Sequence, residues 1–304
     1  MRADRLRSAT ALALGTLLLG ACSSGPSTPD DPPTAGDGPA DAVPAQPVDL
    51  PTRYVALGDS FTSAPYVPVT ELAEGCFRSS GNYPNLVAEE IGAALVDVSC
   101  GGARTDDLVQ QQSFAFTDNT MPPQLKAVTP AAELVTLGIG GNDSDLFNTL
   151  VHECTRVSER PGTTCEDLVT TRQGEVGQAV SHIGRRVARS LRLVKERAPE
   201  ATVVLVGYPR LVDERASCRR MPLTDGDRRF LARVEAGLRD AMAAAARRTD
   251  AEFVDMHAAS RGHEICSDDP WVNGIRTDSK RALAFHPFAT GQRAVAEHVV
   301  ELVR

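Results

Sequence analysis

From residue 53 onward the chain alternates between two hydrophobic patterns. Five short runs, RYVALG (53–58), ALVDVS (94–99), AELVTLG (132–138), TVVLVG (202–207) and EFVDM (252–256), are nearly continuous in apolar and β-branched residues. A strand exposed on one face alternates polar and apolar positions, so continuous runs predict strands covered on both faces. Between them lie YPNLVAEEIGA (83–93), a long stretch from about 166 to 197, DGDRRFLARVEAGLRDAMAAAARR (225–248) and GQRAVAEHVVELV (291–303), whose patterns predict helices. Thr224 stands three residues before Asp227, an arrangement that caps the third helix. Gly174, Gly177 and Gly184 predict a kink or a boundary within the second.

Strand and helix in repeated alternation predict a parallel sheet with helices on both sides, in one domain of about 250 residues. Ligands of such sheets bind beyond the carboxyl ends of the strands, which says where to look for chemistry.

Composition adds a domain organisation. The chain of 304 residues carries 40 acidic and 32 basic residues, a formal charge of -8, and no basic stripe interleaved with aromatics, which argues against nucleic acid as a partner. Arg2, Arg5 and Arg7 precede the apolar ATALALGTLLLGA, the layout of an export signal and too short for a comfortable membrane span. That stretch ends in Leu19-Gly20-Ala21-Cys22, which resembles a bacterial lipobox and implies cleavage before Cys22 and lipidation of its thiol; the alternative is an ordinary secretory signal with a chance cysteine. Residues 23–49, rich in Pro, Gly, Ser and Asp, form a tether reaching roughly 30 Å as a coil and at most about 80 Å if polyproline-like. The expected organisation is a lipoprotein signal peptide over 1–21, the lipidated Cys22 and linker over 22–50, and a folded domain over 51–304.

Beyond Cys22, six cysteines remain: Cys76, Cys100, Cys154, Cys165, Cys218 and Cys266. An even number in an exported chain reads as a disulfide set, but the sequence alone does not choose the pairing. No CxxC or HExxH occurs, so no metal site is expected.

The strand ends carry the candidate chemistry. Gly58-Asp59-Ser60 follows the first strand, Gly101-Gly102-Ala103 the second, Gly138-Ile139-Gly140-Gly141-Asn142-Asp143 the third, and AFHPFATGQ sets His286 just before the last helix. Taken singly, Ser60 reads as a helix cap, the glycines as turn residues and His286 as a loop histidine. Taken together they supply what acyl transfer needs. A serine hydroxyl requires a base, and a tetrahedral intermediate requires hydrogen-bond donors aimed at its oxyanion.

The four segments GDSFTS, SCGGART, GIGGND and FHPFATGQ resemble, in order, the four signature blocks of the SGNH, or GDSL, hydrolases. The resemblance spans residues 55–292. It implies Ser60 as nucleophile, the Ser60 amide with Gly102 and Asn142 as oxyanion donors, and His286 as general base. It also implies a three-layer α/β/α sandwich around a flavodoxin-like five-stranded parallel sheet of order 2-1-3-4-5. The α/β-hydrolase elbow is excluded, because residues 58–62 lack the second glycine of GxSxG. Within the family the chain is similar to the secreted actinobacterial, Streptomyces-type lipases and esterases, which implies the disulfides Cys76–Cys100, Cys154–Cys165 and Cys218–Cys266.

One departure touches the mechanism. Many family members hold the imidazole with an Asp three residues before the histidine, and here that position is Leu283. Either the Leu283 backbone carbonyl orients His286, or a displaced acid does, with Asp268, Asp269 and Asp278 the upstream candidates. Asp59 and Asp143 read as turn-forming and helix-starting residues, and His152, His182, His257, His263 and His298 as surface or core histidines. The functional expectation is a lipid-anchored extracytoplasmic esterase or lipase, a monomer without cofactor, acting through an acyl-enzyme and losing activity below about pH 6 as His286 charges. The alternatives are an envelope O-acyltransferase and a non-catalytic lipid- or glycan-binding lipoprotein. Substrate selectivity falls to the loops around 61–80, 104–121, 144–165 and 208–223. Among these, SFAFTDNTMPP (113–123) is either an acyl contact or a buried loop.

Overall fold

The computed structural model describes residues 49–72, 74–114 and 118–304. The expected signal peptide, lipobox and most of the linker therefore lie outside the described residues. Five parallel strands form the sheet: β1 (Arg53–Gly58), β2 (Ala94–Asp97), β3 (Leu134–Gly138), β4 (Thr202–Val206) and β5 (Glu252–Val254), in the order β2-β1-β3-β4-β5. This is the predicted 2-1-3-4-5 order.

Alternation along each strand divides the core into two layers. Val55, Leu57, Val135, Leu137, Val203 and Leu205 face one side, against α4 (Val176–Arg197) and α5 (Asp225–Thr249). Tyr54, Ala56, Leu134, Val204 and Val206 face the other, against α2 (Tyr83–Ile91) and α6 (Ala289–Val303). The remaining labelled helices are the one-turn α1 (Ser60–Ser63), directly after β1, and α3 (Cys165–Gln173). Coverage on both faces holds for the inner strands but fails for β2. At the sheet edge its residues alternate between exposed and half-buried, and Val96 is 49% exposed.

Local chemistry explains the element boundaries. The helical stretch predicted over 166–197 breaks into α3 and α4 at Gly174, whose φ of 69° and ψ of -157° form a positive-φ conformation that glycine takes without a Cβ penalty. Gly184 lies inside α4, where a Cβ would come within 3.0 Å of the Ala241 Cβ on α5, so its absence lets the two helices approach. Thr224 caps α5, accepting from the Asp227 N–H at 3.2 Å. β5 stops two residues before the predicted end because Asp255 caps a one-turn helix, Met256–Ala259.

Disulfides join Cys76 to Cys100, Cys154 to Cys165 and Cys218 to Cys266. The first ties the loop after α1 to the end of β2, and the second ties an irregular helical stretch over 146–159 to α3. The third links the loops that follow β4 and the Met256–Ala259 turn. Each bridge borders the carboxyl edge of the sheet or a loop leaving it. Among the described residues, no helix is long and apolar enough to cross a membrane.

Candidate active site

Ser60 enters the site because β1 ends in a turn that is fixed from three sides. The Asp59 N–H donates to the Gly138 carbonyl at 2.9 Å, joining the ends of β1 and β3. Gln124 clamps Gly58, accepting its N–H at 2.8 Å and donating to its carbonyl at 2.9 Å. Asp59 is the cap of α1, its Oδ1 accepting the Phe61 N–H at 2.9 Å. Ser60 is thus the first residue of the helix rather than its cap, which frees its hydroxyl.

That hydroxyl lies 2.7 Å from His286 Nε2. Both residues are buried, Ser60 7% and His286 6% exposed. The other imidazole nitrogen, Nδ1, lies 2.7 Å from the Ala284 carbonyl. A carbonyl only accepts, so Nδ1 carries the proton and Nε2 is left as the acceptor for Ser60 Oγ. Burial pushes the His286 pKa down to about 4; the Ala284 carbonyl pulls it back up and His152 pushes it further down.

The orienting carbonyl belongs to Ala284, not to Leu283. The Leu283 carbonyl already accepts the His286 backbone N–H at 3.2 Å and the Asn273 side-chain amide at 3.2 Å. The first of these bonds closes a turn over 283–286 whose third residue, Phe285, has φ 61°. A positive φ at that position is the mark of a type II turn, in which the central peptide is flipped. Its carbonyl, that of Ala284, is the one presented to the imidazole. The displaced-acid candidates stay away: Asp268, Asp269 and Asp278 are exposed, Asp269 faces His263, and the Asp278 carboxylate accepts the Lys280 N–H.

The expected oxyanion donors converge on the same edge. The Cys100 N–H bonds the Gly58 carbonyl at 3.0 Å, which lays the Gly101–Gly102 turn beside the turn that carries Ser60. Gly102 has φ 73°, open to glycine and strained for other residues. Among the described residues, neither the Ser60 nor the Gly102 N–H has a protein acceptor. Asn142 donates one side-chain N–H to the Ala103 carbonyl at 3.0 Å, next to Gly102, and an amide has a second to offer.

Sequence reasoning missed the groups that brace these turns. Asp143 is buried and bridges two loops, accepting from the Thr105 N–H at 2.9 Å, the Thr105 hydroxyl at 2.6 Å and Arg186 Nε at 2.9 Å. Tyr208, at the carboxyl end of β4, donates its hydroxyl to Asp59 Oδ2 and accepts the Gly141 N–H at 2.8 Å. Burial raises the Asp59 pKa to about 7 against the pull of Tyr208 and the Phe61 amide. Tyr208 follows a strand that ends in glycine, the one signal that could have singled it out. Phe61 and Phe147 pack their rings 5.0 and 5.7 Å from the His286 ring and shield it from water.

The chain is similar to known lipases and acylhydrolases. The model of the GDSL-like Lipase/Acylhydrolase family matches residues 56–294. Lipase 2 of Streptomyces coelicolor is 34% identical over 308 aligned positions, covering 98% of this chain and 97% of that protein. A lipase of Streptomyces rimosus is 31% identical over 79% of this chain and 82% of its own length. The crystal structure of phospholipase A1 from Streptomyces albidoflavus superposes with a TM-score of 0.68 at 27% identity, covering 83% of this chain and 99% of that one.

Proposed function

The chain belongs to the GDSL-like lipase/acylhydrolase family and is a carboxylic ester hydrolase; from that premise we propose that Ser60 is its nucleophile and His286 its general base, working as a dyad. His286 Nε2 takes the Ser60 Oγ proton as the oxygen attacks the acyl carbon. The carbonyl oxygen becomes an oxyanion, held by the Ser60 and Gly102 N–H groups and the Asn142 amide. The imidazolium then protonates the leaving alcohol, and the neutral imidazole activates water to release the acid. Throughout, Nδ1–H stays on the Ala284 carbonyl, which fixes the tautomer without a carboxylate.

The observation that carries this reading is the 2.7 Å contact between Ser60 Oγ and a buried imidazole whose other nitrogen is engaged as a donor. It is tested with p-nitrophenyl esters from acetate to palmitate, alongside phospholipid because one relative is a phospholipase A1. Ser60→Ala and His286→Ala should each lower kcat by several orders of magnitude, with Gly102→Ala and Asn142→Ala less severe, about 10²–10³-fold. Full turnover in Ser60→Ala would remove the proposal.

The enzyme works outside the cytoplasm, as its export-type N-terminus and its likeness to an extracellular Streptomyces lipase support. The lipobox-like Leu19–Cys22 segment supports attachment through Cys22, with the linker carrying the catalytic domain off the membrane. Cys22→Ala should then move the enzyme from the membrane fraction to the medium; an unchanged distribution would refute the anchor.

A further inference from the structure

We infer that the apolar cavity beside Ser60 and His286 receives the acyl chain of the ester, and that Glu235 and His257 in its wall select chains bearing a hydroxyl group. The inference rests on the reading of Ser60 as nucleophile and extends it to the substrate.

The cavity is a narrow cleft, and its roughly 550 Å³ of empty space includes the open solvent at its mouth. Phe61, the residue after the nucleophile, lines it together with Phe147 and with Gly141, the neighbour of Asn142. Both phenylalanine rings also pack on His286, so the cavity adjoins the reacting centre. Leu238 and Met242, one turn apart on α5, extend the apolar wall. An alkyl chain would be accommodated by these groups alone.

Glu235 breaks that pattern. Its Oε1 accepts the Leu211 N–H at 3.2 Å, but Oε2 is buried and accepts no hydrogen bond of normal geometry among the described residues. Burial pushes its pKa up to about 8, against the pull of the Leu211 and Val212 amides and of Arg210. At neutral pH the side chain is mostly a neutral acid with an O–H to donate. His257 lines the same cavity at 8% exposure, and its ring makes no hydrogen bond among the described residues. Burial first, then Arg210, holds its pKa down to about 4, so it is neutral and offers one donor and one acceptor nitrogen. Arg239 at the wall is committed to Asp255 and Asp240.

The cavity therefore offers an apolar passage with two neutral, unsatisfied polar groups. A chain ending in carboxylate or ammonium would bring an unpaired charge there, at a desolvation cost. A purely alkyl chain would leave the polar groups unpaired. A hydroxyl both donates and accepts, and satisfies them.

The test compares kcat/KM for p-nitrophenyl esters of hydroxylated acids, from hydroxyhexanoyl to hydroxydodecanoyl, with the unsubstituted ester of equal length. The expected result is that at least one hydroxyacyl ester is preferred by about tenfold. Glu235→Leu should reverse the preference, and Glu235→Gln, isosteric with the neutral acid and still a donor, should keep it. Each ratio is taken within one protein, so partial misfolding cancels. No hydroxyacyl ester exceeding its partner by more than about twofold, or an equal ratio in Glu235→Leu, would overturn the inference. If Glu235→Leu gives no soluble protein, Leu238→Trp, which fills the cavity, should lower hexanoyl and longer esters about tenfold relative to acetyl in the same variant, and an unchanged length profile would overturn it. Failure of the nucleophile reading looks different: acetyl ester turnover would persist in Ser60→Ala.

Discussion

His286 is oriented by a neutral dipole, and this has a measurable consequence for its titration. A carboxylate partner would raise the imidazole pKa, whereas here burial dominates and lowers it to about 4. The acid limb of kcat/KM should therefore fall near pH 4 rather than at the value of about 6 expected from an ordinary histidine. A limb at 6.5 or above, measured on a small soluble ester, would contradict the dyad geometry. Because Asp278 is exposed and bonded within its own turn, Asp278→Asn should leave kcat within a few-fold; a loss of several orders of magnitude would restore a carboxylate to the mechanism. Tyr208→Phe removes the link between Asp59 and Gly141, and should lower kcat more than it raises KM. Ser60 and His286 stood out in the sequence only jointly, as members of four motif blocks that together resemble a known family; singly they read as a helix cap and a loop histidine. Tyr208 and Arg186 did not stand out, since Tyr208 meets Asp59 across 149 positions and Arg186 meets Asp143 across 43. The carbonyl facing His286 was one residue off, because the choice between Leu283 and Ala284 depends on the positive φ of Phe285, which no side-chain pattern announces.

Among the elements, those with the strongest periodicity were the most readable. α5 begins at the Thr224 cap and extends to Thr249, one residue past the predicted stretch. Gly174 marked the break between α3 and α4, whereas Gly177 and Gly184 lie within α4 without breaking it. Gly184 instead permits close packing, so Gly184→Val should force α4 and α5 apart and cost about 1–3 kcal/mol, read as a lower Tm. The irregular stretch over 146–159 carried no usable pattern, because its π and 3₁₀ turns have no fixed hydrophobic period. It contributes Phe147 to the histidine's surroundings and is tied to α3 by Cys154–Cys165.

At the scale of the whole molecule, the active site and its neighbouring cavity shape the pH dependence of stability. Asp59 and Glu235 have pKa values raised by burial to about 7 and about 8, so the folded state holds their protons more tightly than the unfolded chain. Each contributes stability that is lost as pH rises through the folded value. His257 and His286, both lowered to about 4, act in the opposite sense, and their contribution grows from pH 4 until it is complete near 6.5. The two effects oppose each other up to about pH 6.5, and only the carboxyl effect remains above it. The Tm should fall between pH 6.5 and 8, and Glu235→Gln should flatten that slope; a Tm rising over the same window would show that the two carboxyls are ionised in the folded state. The architecture that joins these groups was legible in outline, since continuous apolar strands require cover on both faces, while the strand order that puts β2 at the edge came from the family resemblance and not from the hydrophobic pattern. The central claim is that one serine, activated by one buried imidazole, performs the chemistry. Intact-mass analysis after treatment with a fluorophosphonate should find a single adduct, on Ser60, formed with the pH dependence of ester turnover and absent in Ser60→Ala; an adduct that persists in Ser60→Ala, or maps to another residue, would contradict it.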